Sequence, residues 1–155
     1  MFETLRKSGA IDAMARQLAI PPVLAYGAAR VLLPELVQSF RRRSSAAGGG
    51  AQGLRDLVEM LGILGGGELA SHILSTEAAD VRVGEALLVQ LFGSRQLALE
   101  HAEQADTGLS PELAHQMLAL LAMGVGGYLA ARMRGLDLAE VGGVVIDDLL
   151  EPEET

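Results

Sequence analysis

Leu113 to Ala131 is a run of nineteen residues without a single Asp, Glu, Lys or Arg. Its beginning is marked by Ser110, a capping residue type, and by Pro111, whose fixed φ and missing N–H suit a first helical turn. Glu112 falls near the positive end of the helix dipole, and Arg132 and Arg134 fall near the negative end. Gly108 is placed to close the preceding helix in a left-handed conformation. A helix that is apolar on every face must be buried, in a protein core or in a bilayer. The run reaches the length of about 18 residues at which a membrane span is considered, and Ala119, Ala122, Gly124, Gly127 and Ala130 admit a close helix neighbour. Against a span stand the polar His115 and Gln116 and the short, amphipathic character of the other segments. The expectation is the central helix of an all-α, compact multihelical bundle, with no transmembrane segment.

The length of 155 residues suits one domain, expected over residues 1–150, with an acidic, disordered tail at 151–155. Aromatic residues make up only 3% of the chain, so its core must be built from Leu, Ala, Val, Ile and Met, whose small members let helix axes approach. Absence of Cys excludes disulfides, thiolate metal sites and cysteine nucleophiles. A net charge of −8 argues against nucleic acid, which demands clustered Lys and Arg against phosphate. Glu3, Arg6 and Lys7 leave no apolar core for a secretory leader, so a cytoplasmic location is expected. The charge is uneven: residues 1–55 hold eight basic and three acidic residues, and residues 56–155 hold four and seventeen. Such halves either face each other within one molecule or bring molecules together head to tail.

Taken in order, Phe2 to Lys7 reads as a helical turn ended by Ser8-Gly9, and Ile11, Met14, Ala15 and Leu18 give the next helix one apolar face. Pro21-Pro22 ends that helix and starts a long one, Val23 to Arg43, which Pro34 is expected to kink or split. Arg41, Arg42 and Arg43 close it, either as a phosphate or membrane-surface contact or as a solvated helix end. Ser44 to Gly53 has the composition of a flexible linker. Leu54 to Leu64 reads as a helix ended by Gly65-Gly66-Gly67, which lacks the strand, spacing and Lys of a phosphate loop. A short helix at Glu68 to Leu74 and a polar connection at Ser75 to Val83 follow. Gly84 to Gly93 is a short helix ended by glycine, and Ser94 caps the next, Arg95 to Ala105. Beyond the central helix, Leu136 to Leu150 suggests a last helical segment, the β-branched Val144-Val145-Ile146 included.

A shift of 89 positions lays Ile20-Pro21-Pro22-Val23-Leu24-Ala25 on Leu109-Ser110-Pro111-Glu112-Leu113-Ala114, with Leu36 on Val125 and Phe40 on Leu129. Two units of short helix, proline turn and long apolar helix then pack with pseudo-two-fold symmetry, the long helices at the centre. Gly84-Glu85-Ala86-Leu87-Leu88, Leu91-Phe92-Gly93 and Ala105-Asp106-Thr107-Gly108-Leu109 resemble the YidB-like bacterial family, domain of unknown function 937, as do Ile11 to Leu18 and Leu32-Leu33-Pro34. The resemblance implies a compact multihelical bacterial protein and brings no catalytic residue with it. Where a Leu-Pro pair is expected in the second long helix, Ala122-Met123 stand instead.

Candidate chemistry is sparse. Glu68 with His72, and His101 with Glu100 and Glu103, have ligand-like spacing, yet neither set offers the three or four converging ligands that a metal requires. His115, inside the apolar run, needs a partner such as Gln116 or a backbone carbonyl. No nucleophile elbow is present, so no catalytic, cofactor or metal residue is assigned. The function expected is a non-enzymatic protein-interaction or self-association module, using Arg41, Arg42, Arg43, Asp147 and Asp148. The alternative is a small-molecule or acyl-chain binder with a cavity between Gly- and Ala-lined helices.

Overall fold

A computed structural model describes residues 2–46, 56–57, 59–63 and 81–133. The fold is all-α, with helices α1 (Phe2–Lys7), α2 (Ala10–Leu18), α3 (Pro22–Ala46), α4 (Val81–Phe92), α5 (Arg95–Gln104) and α6 (Pro111–Met133). Residues 56–57 and 59–63 are helical as well and lie between α3 and α4 in the chain.

Local chemistry explains where these helices start and stop. Ser8 Oγ donates to the Leu5 carbonyl, and Gly9 turns the chain at a φ of 83°. The end of α2 is closed by the N–H groups of Ala19 and Ile20, which donate to the carbonyls of Arg16 and Ala15. Ala19 adopts the left-handed conformation there, a role usually taken by glycine. Pro22 then opens α3, which leaves α2 at 113°. Ser94 Oγ accepts from Leu97 N–H at 3.1 Å and Ser110 Oγ from Leu113 N–H at 3.3 Å, so both expected caps are in place.

α6 is the axis of the packing. It contacts α2, α3, α4 and α5, and residues 117–127 are buried without interruption. Its closest neighbour is α4: a Cβ built on Gly84 would stand 2.7 Å from the Ala119 carbonyl oxygen, so only hydrogen fits between the two backbones. Ile11 and Met14 of α2, Leu32, Leu36 and Phe40 of α3, and Leu87 and Leu88 of α4 complete a core of aliphatic side chains with few rings.

Several expectations need correction. Pro34 does not split α3, which runs unbroken to Ala46 with Pro34 on its exposed face, where its missing N–H leaves the buried side intact. Residues 44–46 belong to α3 and not to a linker. Val81 to Val83, read as connection, form the first turn of α4. Gly108 is left-handed at a φ of 77° but serves the turn before α6, because α5 already ends at Ala105 in extended conformation. The expected elements at 65–80 and at 134–155 lie outside the described residues.

Candidate functional site

Arg41, Arg42 and Arg43 lie within α3, and of the three only Arg43 falls in its last turn. Arg43 forms an ion pair with Asp56, which tethers the helical residues 56–57 to α3. The Arg42 guanidinium lies over the Phe92 ring, 6.0 Å from its centroid, in a cation–π contact. Phe92 also meets the His101 ring at 4.8 Å, and His101 Nδ1 lies 3.0 Å from Glu35 Oε2. Arg41 is engaged too. Arg42 and Arg43, which the sequence marks as a contact for partners, therefore tie α3 to α4 and to Asp56, and Glu35 with His101 ties α3 to α5. Asp56 and Phe92 were not legible as their partners, nor Glu35 as the partner of His101, since 66 residues separate that last pair. Asp147 and Asp148, the acidic candidates, lie outside the described residues, as does His72.

Beside the Arg43–Asp56 pair opens a cleft of about 370 Å³, lined by Glu59, Met60, Ile63, Ala86 and Gln90 together with the pair itself. Its walls mix charged and aliphatic groups.

His115 faces α4. Its side chain is 4% exposed, and Nε2 stands 3.3 Å from Glu85 Oε1. The angles are not those of a hydrogen bond, so both ring nitrogens are without one. The partner across the helix pair is thus Glu85, where the sequence pointed to Gln116 or a carbonyl. His101 turns to Glu35 of α3 and away from a shared site with Glu100 and Glu103. Glu100 accepts from Gln96 on its own helix. Among the described residues no three His, Asp or Glu side chains converge as a metal would need.

The most exposed apolar surface of the long helices is on the outer face of α3. Val23 is 74% exposed, Leu24 38% and Val31 36%, and around Gly27 a Cβ would meet no described residue within 4 Å. Phe2 of α1 borders this face, stacked edge-on with Tyr26 and covered by the Arg30 guanidinium at 5.0 Å. Tyr26 OH donates to Asp12 Oδ1 at 2.9 Å, and that hydrogen bond, with the nearby carboxylate charge, raises the phenol's pKa above its ordinary value.

A family model described as a bacterial protein of unknown function (DUF937) matches residues 2–132. The chain belongs to this family. No curated protein and no solved structure matches it. The matched span takes in all six labelled helices up to the last residue of α6, and so the α3 face, the arginine cluster and the His115–Glu85 contact are all parts of the family domain.

Proposed function

We propose that this chain is a non-enzymatic helical interaction module whose binding face is the outer side of α3. The observation that carries this reading is the exposure of Val23, Leu24 and Val31 along one stripe of a helix whose opposite side is sealed into the core. Scattered exposed aliphatics are ordinary, but an aligned set on a rigid helix is a surface for association. The polar groups with reactive potential, His101, Glu35 and the arginines, are taken up in pairwise contacts that hold helices together. Uneven charge along the chain adds orientation to association. We place the module in the cytoplasm. Although α6 is long and apolar enough to cross a membrane, 78% of its most apolar window is buried by the other helices, as befits a core helix.

The alternative, a binder of small amphipathic molecules, draws on the cleft beside Arg43 and Asp56, where Met60, Ile63 and Ala86 offer apolar contact. The finer architecture also belongs to this proposal: two units related by an internal repeat. In support, Pro22 and Pro111 each open a long helix after a short one. The aligned pairs Ala25 and Ala114, Leu32 and Leu121, Leu36 and Val125, and Phe40 and Leu129 are buried in both.

Native mass spectrometry of the full chain across protein and salt concentrations tests the reading. Assemblies of whole copies with no extra mass are expected. A monomer that carries a small bound mass instead would favour the alternative.

A further inference from the structure

We propose that the cleft beside the Arg43–Asp56 pair is a site for a small aliphatic amine, a primary ammonium group carried on a hydrocarbon chain. This rests on the alternative reading, in which the cleft holds a small amphipathic molecule, and it names the chemical class of that molecule.

The lining supplies both halves of such a ligand's surroundings. Glu59 and Ile63 stand four residues apart on one helical stretch, and Ala86 and Gln90 stand four apart on α4. Residues at that spacing share a helix face, so each wall brings one polar and one apolar group to the cleft. Met60, 7% exposed, and Ile63, 80% exposed, give hydrocarbon at two depths. The volume of about 370 Å³ falls in the range of roughly 300–1,000 Å³ usual for small-molecule sites.

Charge decides which head group fits. The lining holds two carboxylates, Asp56 and Glu59, and one cation, Arg43. Arg43 is already paired with Asp56, whose Oδ2 is closed off from solvent. An anionic head has to break that pair to reach Arg43, and it would leave the Asp56 carboxylate without its counter-charge. Glu59 differs, being exposed and without a hydrogen bond or ion pair among the described residues. Gln90 is likewise without one. The groups on offer are therefore a carboxylate and an amide oxygen, both acceptors, and an ammonium head brings three N–H donors and no acceptor. The net charge of −8 draws cations towards the chain and repels fatty-acid anions. Glu59 is solvated, so its pairing with the ammonium adds a modest selectivity to weak, chain-driven binding.

The test uses three probes of one chain length, 1-aminohexane, 1-hexanol and hexanoate, on the full chain with its Met and Ile methyl groups isotopically labelled. Saturable shifts of the Met60 and Ile63 methyl resonances are expected with 1-aminohexane, at an affinity about fivefold above that of 1-hexanol, with hexanoate the weakest. The advantage of the amine over the alcohol is expected to shrink as salt rises and to vanish in Glu59→Gln, a change at an exposed position that spares the core. Equal affinity for amine and alcohol overturns the selection by charge and leaves the cleft as a binding site. Tightest binding by hexanoate shows that Arg43 gives up Asp56 for an anion, and it overturns the amine. An amine advantage that survives in Glu59→Gln overturns the role of Glu59 as the head-group acceptor. Absence of saturable shifts at both methyl groups with all three probes overturns the cleft as a site together with the alternative reading, and leaves the interaction module to its own test.

Discussion

α3 and α6 begin alike, each at a proline that follows a short helix, and have similar lengths of 25 and 23 residues. They end in opposite situations. α6 is wrapped so completely that every residue from 117 to 127 is buried, while α3 buries one side and shows the other, including three large aliphatics. The cause is the placement of charge more than the number of apolar residues. α6 has no charged residue between Glu112 and Arg132, so it can be covered from all sides. On α3, Arg30, Glu35, Gln38 and Arg42 mark one side that must stay wet. Val23, Leu24 and Val31 share that wet side, and their placement, not their hydrophobicity, makes α3 the candidate for binding.

The largest test of this contrast is the same charge placed on each helix. Leu121→Asp in α6 buries a carboxylate with no partner at hand and is expected to cost more than about 4 kcal/mol, enough to unfold a marginal domain. Val31→Asp on α3 is expected to move stability by no more than about 0.5 kcal/mol. Chemical denaturation of both variants decides it. Comparable losses would mean that the outer face of α3 is not exposed in the folded monomer.

Glycine gives a second contrast. Gly84→Ala drives a methyl group into the backbone carbonyl of Ala119, a rigid obstacle, and is expected to cost about 1–3 kcal/mol. Gly27→Ala meets open space inside a helix and is expected to gain about 0.5–1 kcal/mol at concentrations where the chain is monomeric. Thermal melts that shift in the same direction for both would remove the tight α4–α6 contact from the account.

Smaller still is the effect of His115→Leu. The ring is buried without a hydrogen bond, and Glu85, being part-exposed, keeps its access to water when the ring is gone. Replacement by an apolar group of similar size is expected to leave stability within about 1 kcal/mol of the parent, on the stabilising side. A marked loss in the denaturation midpoint would show that His115 and Glu85 attract each other strongly enough to tie α4 to α6.

Much of this fold was legible because its signals are local. Ser94, Ser110, Pro22 and Pro111 act within one turn of where they stand, and the uncharged run announced its own burial. What the sequence did not disclose depends on distant parts of the chain. Pro34 looked like a break, yet proline disrupts a helix through its missing N–H, and on the solvent side that defect leaves the packed face continuous. The contacts of Arg42 and Arg43 were hidden because Phe92 and Asp56 reach them only in three dimensions, as His101 reaches Glu35. The α3 face shows the same limit. Val23 and Val31 have the same residue type as core positions, and only packing reveals that they stand exposed among the described residues.

The smallest expected effect concerns how α3 is moored at its start. Tyr26 donates to Asp12 of α2, and this contact beside Phe2 and Arg30 fixes the edge of the exposed face. Ionisation of the phenol would remove the donor and set two negative charges together, which is why its pKa lies above the ordinary value of about 10. The sign follows from linkage: a group whose pKa is raised by folding stabilises the fold fully below its unfolded pKa, and that stabilisation is lost as pH rises through the folded value. The contribution is therefore intact at neutral pH and fades only in strongly alkaline solution. An ultraviolet titration of tyrosinate absorbance should show Tyr26 ionising above the ordinary range, and Asp12→Ala should return it towards that range. Unchanged late ionisation in that variant would assign the shift to burial instead of to the Asp12 hydrogen bond, and would detach the α2–α3 corner from the face that it borders.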